Sequence, residues 1–496
     1  MLGIHRDASL RDQSLVIAVV AGICLAGLFA VAAVIFMPVL AVAPLLLFLM
    51  GGLLINDRLR MAFVVFGGLL TLQTSQEVTS IKLIYLAGVC VALAGATLQV
   101  LRFESEVTVP LLRPLLAGSL LFLLLIAGSF FIALAHDTDP TAWLRDSAPY
   151  FLFASVPIFA LDLSQSRHRG SLVLMFVLAG VLSAMSFTVS WLDRRHIAEL
   201  AFTRLVLPSL LLPLATWCYA VAKVVYGKGN QLGWIAIVLL VPALLLATGG
   251  RSGLVLLAAP VGMVLASKGR AVKRSLRLLL LIVAAGLCAF LLVWGIGELT
   301  GPESQVIAAR FTSISQVLVS PERDPSYLER VSEASAAWNA FAGEPFFGTG
   351  PGHAFIWHSS GLVISSFNID NAISFPAKFG AIGLAVLLVI AVGYASFVRR
   401  LSRSGVESAK LALVGFLAIL LAYLPLAAPF EDKGFSFALL FLLVLGLGEL
   451  ASRGRSAFGR LEQPRASSFL HSTARLDSGG GLNATNRSVL SEPEDV

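Results

Sequence analysis

The chain has 496 residues, of which 57% are hydrophobic and only 13% charged, with a mean hydropathy of +0.87 and a net charge of +7. This composition excludes a soluble globular domain with a single large core and points to an integral membrane protein. The basic excess does not indicate a nucleic-acid partner, because it is spread over short loops between apolar runs.

Apolar runs of about 17–22 residues recur along the sequence, the length a helix needs to cross a bilayer, while the short alternating segments of a β-barrel are absent. Residues 1–14 precede the first run, Leu15 to Phe36. That run is too long for a signal-peptide core and lacks a clear small-residue cleavage site, so it is expected to remain as the first span. Further spans are expected near 38–55, 61–74, 82–101, 115–135, 148–163, 171–192, 204–226, 232–249, 252–267, 278–297, 376–398, 411–429 and 435–451. The expected fold class is therefore an all-α integral membrane protein with about 12–14 transmembrane helices. Cys24, Cys90, Cys218 and Cys288 all fall inside apolar runs without a close sequence partner, and support neither a disulfide framework nor a metal site.

The loops alternate in charge. One set carries Arg58/Arg60, Arg102/Arg113, Arg167/Arg169, Lys223/Lys228, the Lys268–Arg277 cluster and Arg399/Arg400/Arg403/Lys410, and the tail adds Arg453, Arg455 and Arg460. The positive-inside rule makes that side cytoplasmic, with both termini cytosolic. The opposite loops are acidic overall, through Asp137, Asp139, Asp146, Asp193, Glu199, Glu322 and Asp324. Their few cations, among them Lys82, Arg145, Arg204, Arg251, Arg330, Lys378 and Lys433, are disfavoured by topology there, which suits an anionic ligand on the outer face.

Lys82 opens a span as either an interfacial anchor or a ligand contact. Arg204 opens another, after Asp193-Arg194-Arg195-His196, and reads as solvated or as anion-binding. Thr248-Gly249-Gly250-Arg251-Ser252-Gly253 interrupts the apolar sequence. Arg251 either snorkels from a helix end or holds a bulky anion that the glycines allow to approach, helped by a helix N-terminus near Ser252. No Gly-Lys-Ser/Thr follows, so this is not a Walker-type loop.

Residues 298–375 form the one long polar interruption, expected as a large outer-face loop containing short helices. Within it, Val331, Ala334, Trp338 and Phe341 share one face of a helix over Tyr327–Ala342, with Pro325-Ser326 before it and Gly343 after it. Arg330 on that helix pairs with Glu333 or Asp324, or contacts ligand. Glu344 to Gly352 reads as turns, and Phe346, Phe347, Phe355 and Trp357 suit the membrane interface. His353 and His358 are loop-packing residues or weaker ligand candidates. Asp370-Asn371 precedes the return to the membrane; it caps a helix starting near Ala372 or supplies a carboxylate able to accept a proton from a hydroxyl. No His/Cys/Asp cluster has metal-ligand spacing, so no metal and no cofactor are expected. Residues 376–451 return to spans, and 452–496, rich in Ser, Gly, Arg and Pro, are expected as a disordered cytosolic tail.

Three segments together resemble the O-antigen ligase and polymerase family of bacterial inner-membrane proteins. Leu246–Gly253 is similar to the family's T-x-S-R-G/S at a span end, with Gly250 where serine is usual. Arg330, Trp338 and Pro345–Gly352 are similar to its arginine, aromatic helix and P-L-x-G-x-G-x-G/N turn. Asp370-Asn371 before Phe379-Gly380-Ala381-Ile382-Gly383 resembles H-N-x-(Y/F)-L…G-x-x-G, with Asp370 in place of histidine.

The resemblance implies metal-independent glycosyl transfer on the outer face of the bacterial plasma membrane. The donor would be a glycan on polyprenyl diphosphate, usually undecaprenyl, and the acceptor a sugar hydroxyl on a glycan or lipid. Asp370 would be the base and Arg251 and Arg204 would receive the charge of the leaving diphosphate; Arg330, Lys82, His353 and Asn371 would bind substrate. The alternative is a flippase or transporter of lipid-linked glycan, which would show ionisable residues deep in spans and an internal repeat.

Overall fold

The computed structural model describes residues 48–72, 80–102, 109–164, 169–194, 207, 209–227, 231–247, 258–267, 272–273, 276, 325–359, 362–369, 371–424 and 427–461. The expected spans at 15–36 and 278–297 lie outside these residues, as do residues 1–14, most of 38–55 and the tail beyond 461.

Near the start, α1 (Asp57–Ala62), a π-helical turn (Phe63–Gly67) and α2 (Gly68–Thr71) form one bent segment. Then follow α3 (Ser80–Arg102), α4 (Val109–Ala135), α5 (Pro140–Ser164), α6 (Arg169–Arg194), α7 (Leu211–Tyr226), α8 (Leu232–Ala247) and α9 (Ala258–Ala266). The loop contributes α10 (Pro325–Gly343) and a hairpin of β1 (Phe355–Ser359) and β2 (Leu362–Ser366). The chain closes with α11 (Ser374–Arg403), α12 (Glu407–Tyr423) and α13 (Lys433–Leu461).

Six of the described helices are long and apolar enough to cross a membrane: 81–101, 112–135, 140–164, 170–188, 374–403 and 433–451. The expected class, an all-α integral membrane protein, is what the structure shows. In α5 and α13 the apolar stretch is 94% and 89% buried, against 33% in α3, α4 and α11. The first pair is therefore interior, and the second group presents its apolar surface outward, as lipid-facing helices do. Helix α4 packs along α11, where Gly118 fits beneath Ile390 and Gly393 beneath Leu115. Small residues at such crossings let helix backbones approach closely.

Two boundaries differ from expectation, and both bear on function. Helix α5 starts at Pro140 and not near 148, so Arg145 and Asp146 lie inside it. Helix α12 stops at Tyr423, six residues before the expected span end, leaving a connection that carries Glu431 and Asp432. The loop also contains a β-hairpin, although only helices are expected there. Its buried face, Phe355 and Trp357, packs with Ala337 of α10, Ile369 and Ala377.

Arg60 and Asp162 form a fully buried ion pair near the C-terminal end of α5. Arg60 donates from Nε to Asp162 Oδ2 at 2.9 Å and from Nη2 to Oδ1 at 2.8 Å. Its Nη1 donates to the carbonyls of Leu53 and Leu54, and Nη2 also reaches Gln99. A bidentate pair with its remaining donors engaged is the form in which buried charge is tolerated.

Candidate functional site

The chemistry gathers where α11 is broken. Gly380 has φ 63° and ψ −164°, a conformation essentially confined to glycine, inside an otherwise helical span. In an unbroken helix the Ala381 and Ile382 amides would donate to the Ala377 and Lys378 carbonyls. Here they donate instead to Pro345 at 2.8 Å and Phe346 at 3.2 Å. The two carbonyls left over accept from Thr349 at 2.9 Å and Gly350 at 3.0 Å.

The turn from Pro345 to Gly352 thus inserts into the gap and satisfies both sides of it. Non-helical backbone at membrane depth is tolerated only where protein satisfies it in this way. The fit requires glycine on both surfaces. A Cβ on Gly348 would lie 2.5 Å from the Lys378 carbonyl carbon, and one on Gly380 would lie 2.2 Å from the Phe346 oxygen.

Lys378 sits two residues before the break with its side chain fully buried. Its ammonium donates to Asp146 Oδ1 at 2.8 Å and to Glu431 Oε1 at 2.7 Å. Asp146 Oδ2 accepts from the Gly352 amide at 2.6 Å, and the Tyr150 hydroxyl donates to Glu431 at 3.2 Å. One lysine therefore ties together the start of α5, the connection before α13 and the inserted turn. Burial pushes the Glu431 carboxyl above the usual carboxylate range and Asp146 adds to that, while the Lys378 ammonium opposes it.

The neighbours of these carboxylates in sequence form a second, cationic group. Lys433 lies within electrostatic reach of Lys82 at the start of α3 and Arg145 of α5, with Asp432 as the nearby anion. Lys82 is buried, and the Arg145 guanidinium stacks 4.0 Å over the Phe367 ring. Asp432 is itself committed: it accepts from Ser209 Oγ at 3.0 Å and from the Gly434 amide at 2.8 Å. Burial raises its pKa, against those hydrogen bonds. Lys433 thus shares its surroundings with two further cations, a grouping of the kind that suits a phosphate or diphosphate.

The sequence-based candidates are distributed unevenly. Asp370, Arg251 and Arg204 lie outside the described residues. Lys82 stands in the cationic group. His353 follows Gly352 directly, half-buried beside His136 and Phe355, and burial together with the His136 charge holds it below the usual histidine value. Asn371 accepts from the Ile373 amide at 3.0 Å, a local turn that starts α11. Arg330 is on α10 and partly exposed.

Arg145 and Lys433 were legible only as cations in the acidic set of loops, Lys378 also as one of the chemically able residues around the polar interruption, and Asp146 only as an acidic loop residue. Glu431 carried no separate signal. The available hint was a pair of charged strings, Arg145-Asp146 and Glu431-Asp432-Lys433, each beside an apolar run.

Fold and site together define a polytopic all-α membrane protein with a charged centre built on a broken, loop-plugged helix. Residues 235–388, about a third of the chain, match the family model described as O-antigen ligase, a likeness that supports an O-antigen ligase assignment. The matched segment contains α10, the Gly-rich turn, the hairpin and the α11 break, while Lys82, Arg145, Asp146, Glu431 and Lys433 come from outside it. No curated protein compared with the chain matches it.

Proposed function

We propose that this protein transfers a glycan from a polyprenyl-diphosphate donor, undecaprenyl being the usual carrier, to a sugar hydroxyl on the outer face of a bacterial plasma membrane. The coarser role, ligase- or polymerase-like glycosyl transfer by a membrane enzyme, is supported by the O-antigen ligase match over residues 235–388. The observation carrying the finer reading is that Lys82 and Arg145 lie within electrostatic reach of Lys433, grouping three cations from separate helices. In the proposed step the acceptor oxygen attacks the anomeric carbon and the bond from that carbon to the diphosphate oxygen breaks. The proton passes to a carboxylate, Asp370. The leaving diphosphate gains charge as the bond breaks, and fixed cations favour that state most.

Arg251 and Arg204 are proposed to complete the diphosphate cradle. Ser209, five residues after Arg204, is hydrogen-bonded to Asp432 next to Lys433, which supports placing that segment near the cluster. Arg330, His353 and Asn371 are proposed to contact the glycan from the loop at 298–375. The outer-face assignment rests on the charge bias of the loops: Arg113, Arg399, Arg400 and Arg403 lie at the opposite ends of α4 and α11 from the break.

Transport also draws support from a broken helix and buried charges. Against it, Asp146 lies six residues into α5 and Lys378 four into α11, about 9 Å and 6 Å along their helices from the starts and so well short of the helix midpoints.

The test is the full chain in nanodiscs with a polyprenyl-diphosphate-linked glycan and an acceptor glycan, with EDTA present. Release of polyprenyl diphosphate coupled to a lengthened acceptor is expected. Movement of intact donor between leaflets of a proteoliposome without transfer would overturn the reading in favour of transport.

A further inference from the structure

The geometry points to Lys378, with Asp146 and Glu431, as a positioning device: a buried ionic fastener that seats the loop turn in the α11 break and so registers the loop over the cationic group. Three observations carry it. The turn's own bonds to the break are two donors and two acceptors of backbone, and the Gly352–Asp146 bond is what ties its far end to α5. Lys378 holds the other oxygen of that same carboxylate, Oδ1, at 2.8 Å, so one side chain is gripped by the turn and by the lysine together. Lys378 also grips Glu431, two residues before Lys433, while Asp146 is adjacent to Arg145. Each carboxylate of the fastener is thus one or two residues from a cation of the cluster on the same short piece of backbone, so a shift of the turn is transmitted to the cluster.

The energetics suit a fastener. A lysine buried between two carboxylates is costly to assemble and more costly to break, because removing the ammonium leaves two buried anions facing each other. Such a network contributes little net stability when complete but strongly penalises any arrangement in which a partner is missing. It therefore specifies one position of the turn. Lys378 itself need not touch substrate.

The test uses the full chain in nanodiscs and two variants, Lys378→Met and the triple Lys378→Met/Asp146→Asn/Glu431→Gln, which removes the stranded charges. Hydrogen exchange reads the amides of residues 345–352, and transfer kinetics read kcat and donor KM. Only the kinetic arm rests on the proposed glycosyl transfer; if the wild-type chain transfers nothing, that reading fails while the exchange arm still decides the fastener. In both variants exchange of 345–352 is expected to rise about tenfold or more, the loss of roughly one charge-assisted hydrogen bond, while α5 and α13 stay protected. The kcat should fall by a similar factor, with donor KM changing less than about threefold. Wild-type exchange and kcat in the triple variant would overturn the inference. Loss of the whole fold in both variants would overturn it too, because the network would then be holding the helices together and not the turn.

Discussion

Replacing Gly380 by alanine isolates the broken helix from the charges around it. At φ 63° and ψ −164° a side chain costs roughly 1–3 kcal/mol in backbone strain alone. The new Cβ would also lie 2.2 Å from the Phe346 oxygen and 2.6 Å from the Phe347 nitrogen, both backbone atoms, so the turn cannot give by a side-chain rotation. If the turn is expelled, the four exchanged hydrogen bonds at Pro345, Phe346, Thr349 and Gly350 go with it, at about 1 kcal/mol each. The sum, about 5–7 kcal/mol, is comparable with the whole stability of many domains. Thermal unfolding in detergent and hydrogen exchange of 345–352 measure the effect. Gly128→Ala is the control, since no atom lies within 4 Å of its Cβ position and alanine there should gain about 0.5–1 kcal/mol in helix propensity. A Gly380→Ala protein that melts with the wild type and keeps 345–352 protected would refute the reasoning.

Further outcomes are expected. Lys433→Met and Lys82→Met should each raise donor KM by about tenfold or more, the worth of a charged contact to diphosphate; an unchanged KM in both would remove these lysines from the cradle. Arg60→Met should destabilise the fold by about 3–5 kcal/mol by stranding Asp162, and Arg60→Met/Asp162→Leu should recover much of it; a double variant as unstable as the single would show the pair is not the cause. His353 is held neutral in the fold, with a pKa below its unfolded value, so its contribution is complete above about pH 6.5 and is lost as pH falls through the folded value. The fall in melting temperature between about pH 7.5 and 5.5 should therefore be smaller in His353→Phe than in the wild type, and an equal fall would discount His353 as its source.

The sequence was most informative where one-dimensional pattern is itself the cause. Apolar length makes a span, so α3, α4, α6, α11 and α13 lie close to where hydropathy places them. The helix over 327–342 was legible from its 3.6-residue periodicity and its proline and glycine ends, and appears as α10 at 325–343. The hairpin was a missed signal: Phe355–Trp357 and Leu362–Ile364 are aromatic and β-branched runs around Ser-Gly, a strand pattern that the surrounding helices overshadowed. The break at Gly380 was marked only by the G-x-x-G of the family resemblance, because in hydropathy Phe379-Gly380-Ala381-Ile382-Gly383 continues an apolar run as smoothly as an intact helix would.

By itself, the sequence determined the membrane class and the motifs that resemble the O-antigen ligase family, since both depend on composition and local order. Only the tertiary structure decided which charges meet. Lys378 and Asp146 are 232 residues apart, and Lys378 and Glu431 are 53. A lysine solvated at a helix end and one buried between two carboxylates read identically along the chain. They differ only in what other helices bring within 3 Å, and at membrane depth that pairing decides whether the charge can be there at all.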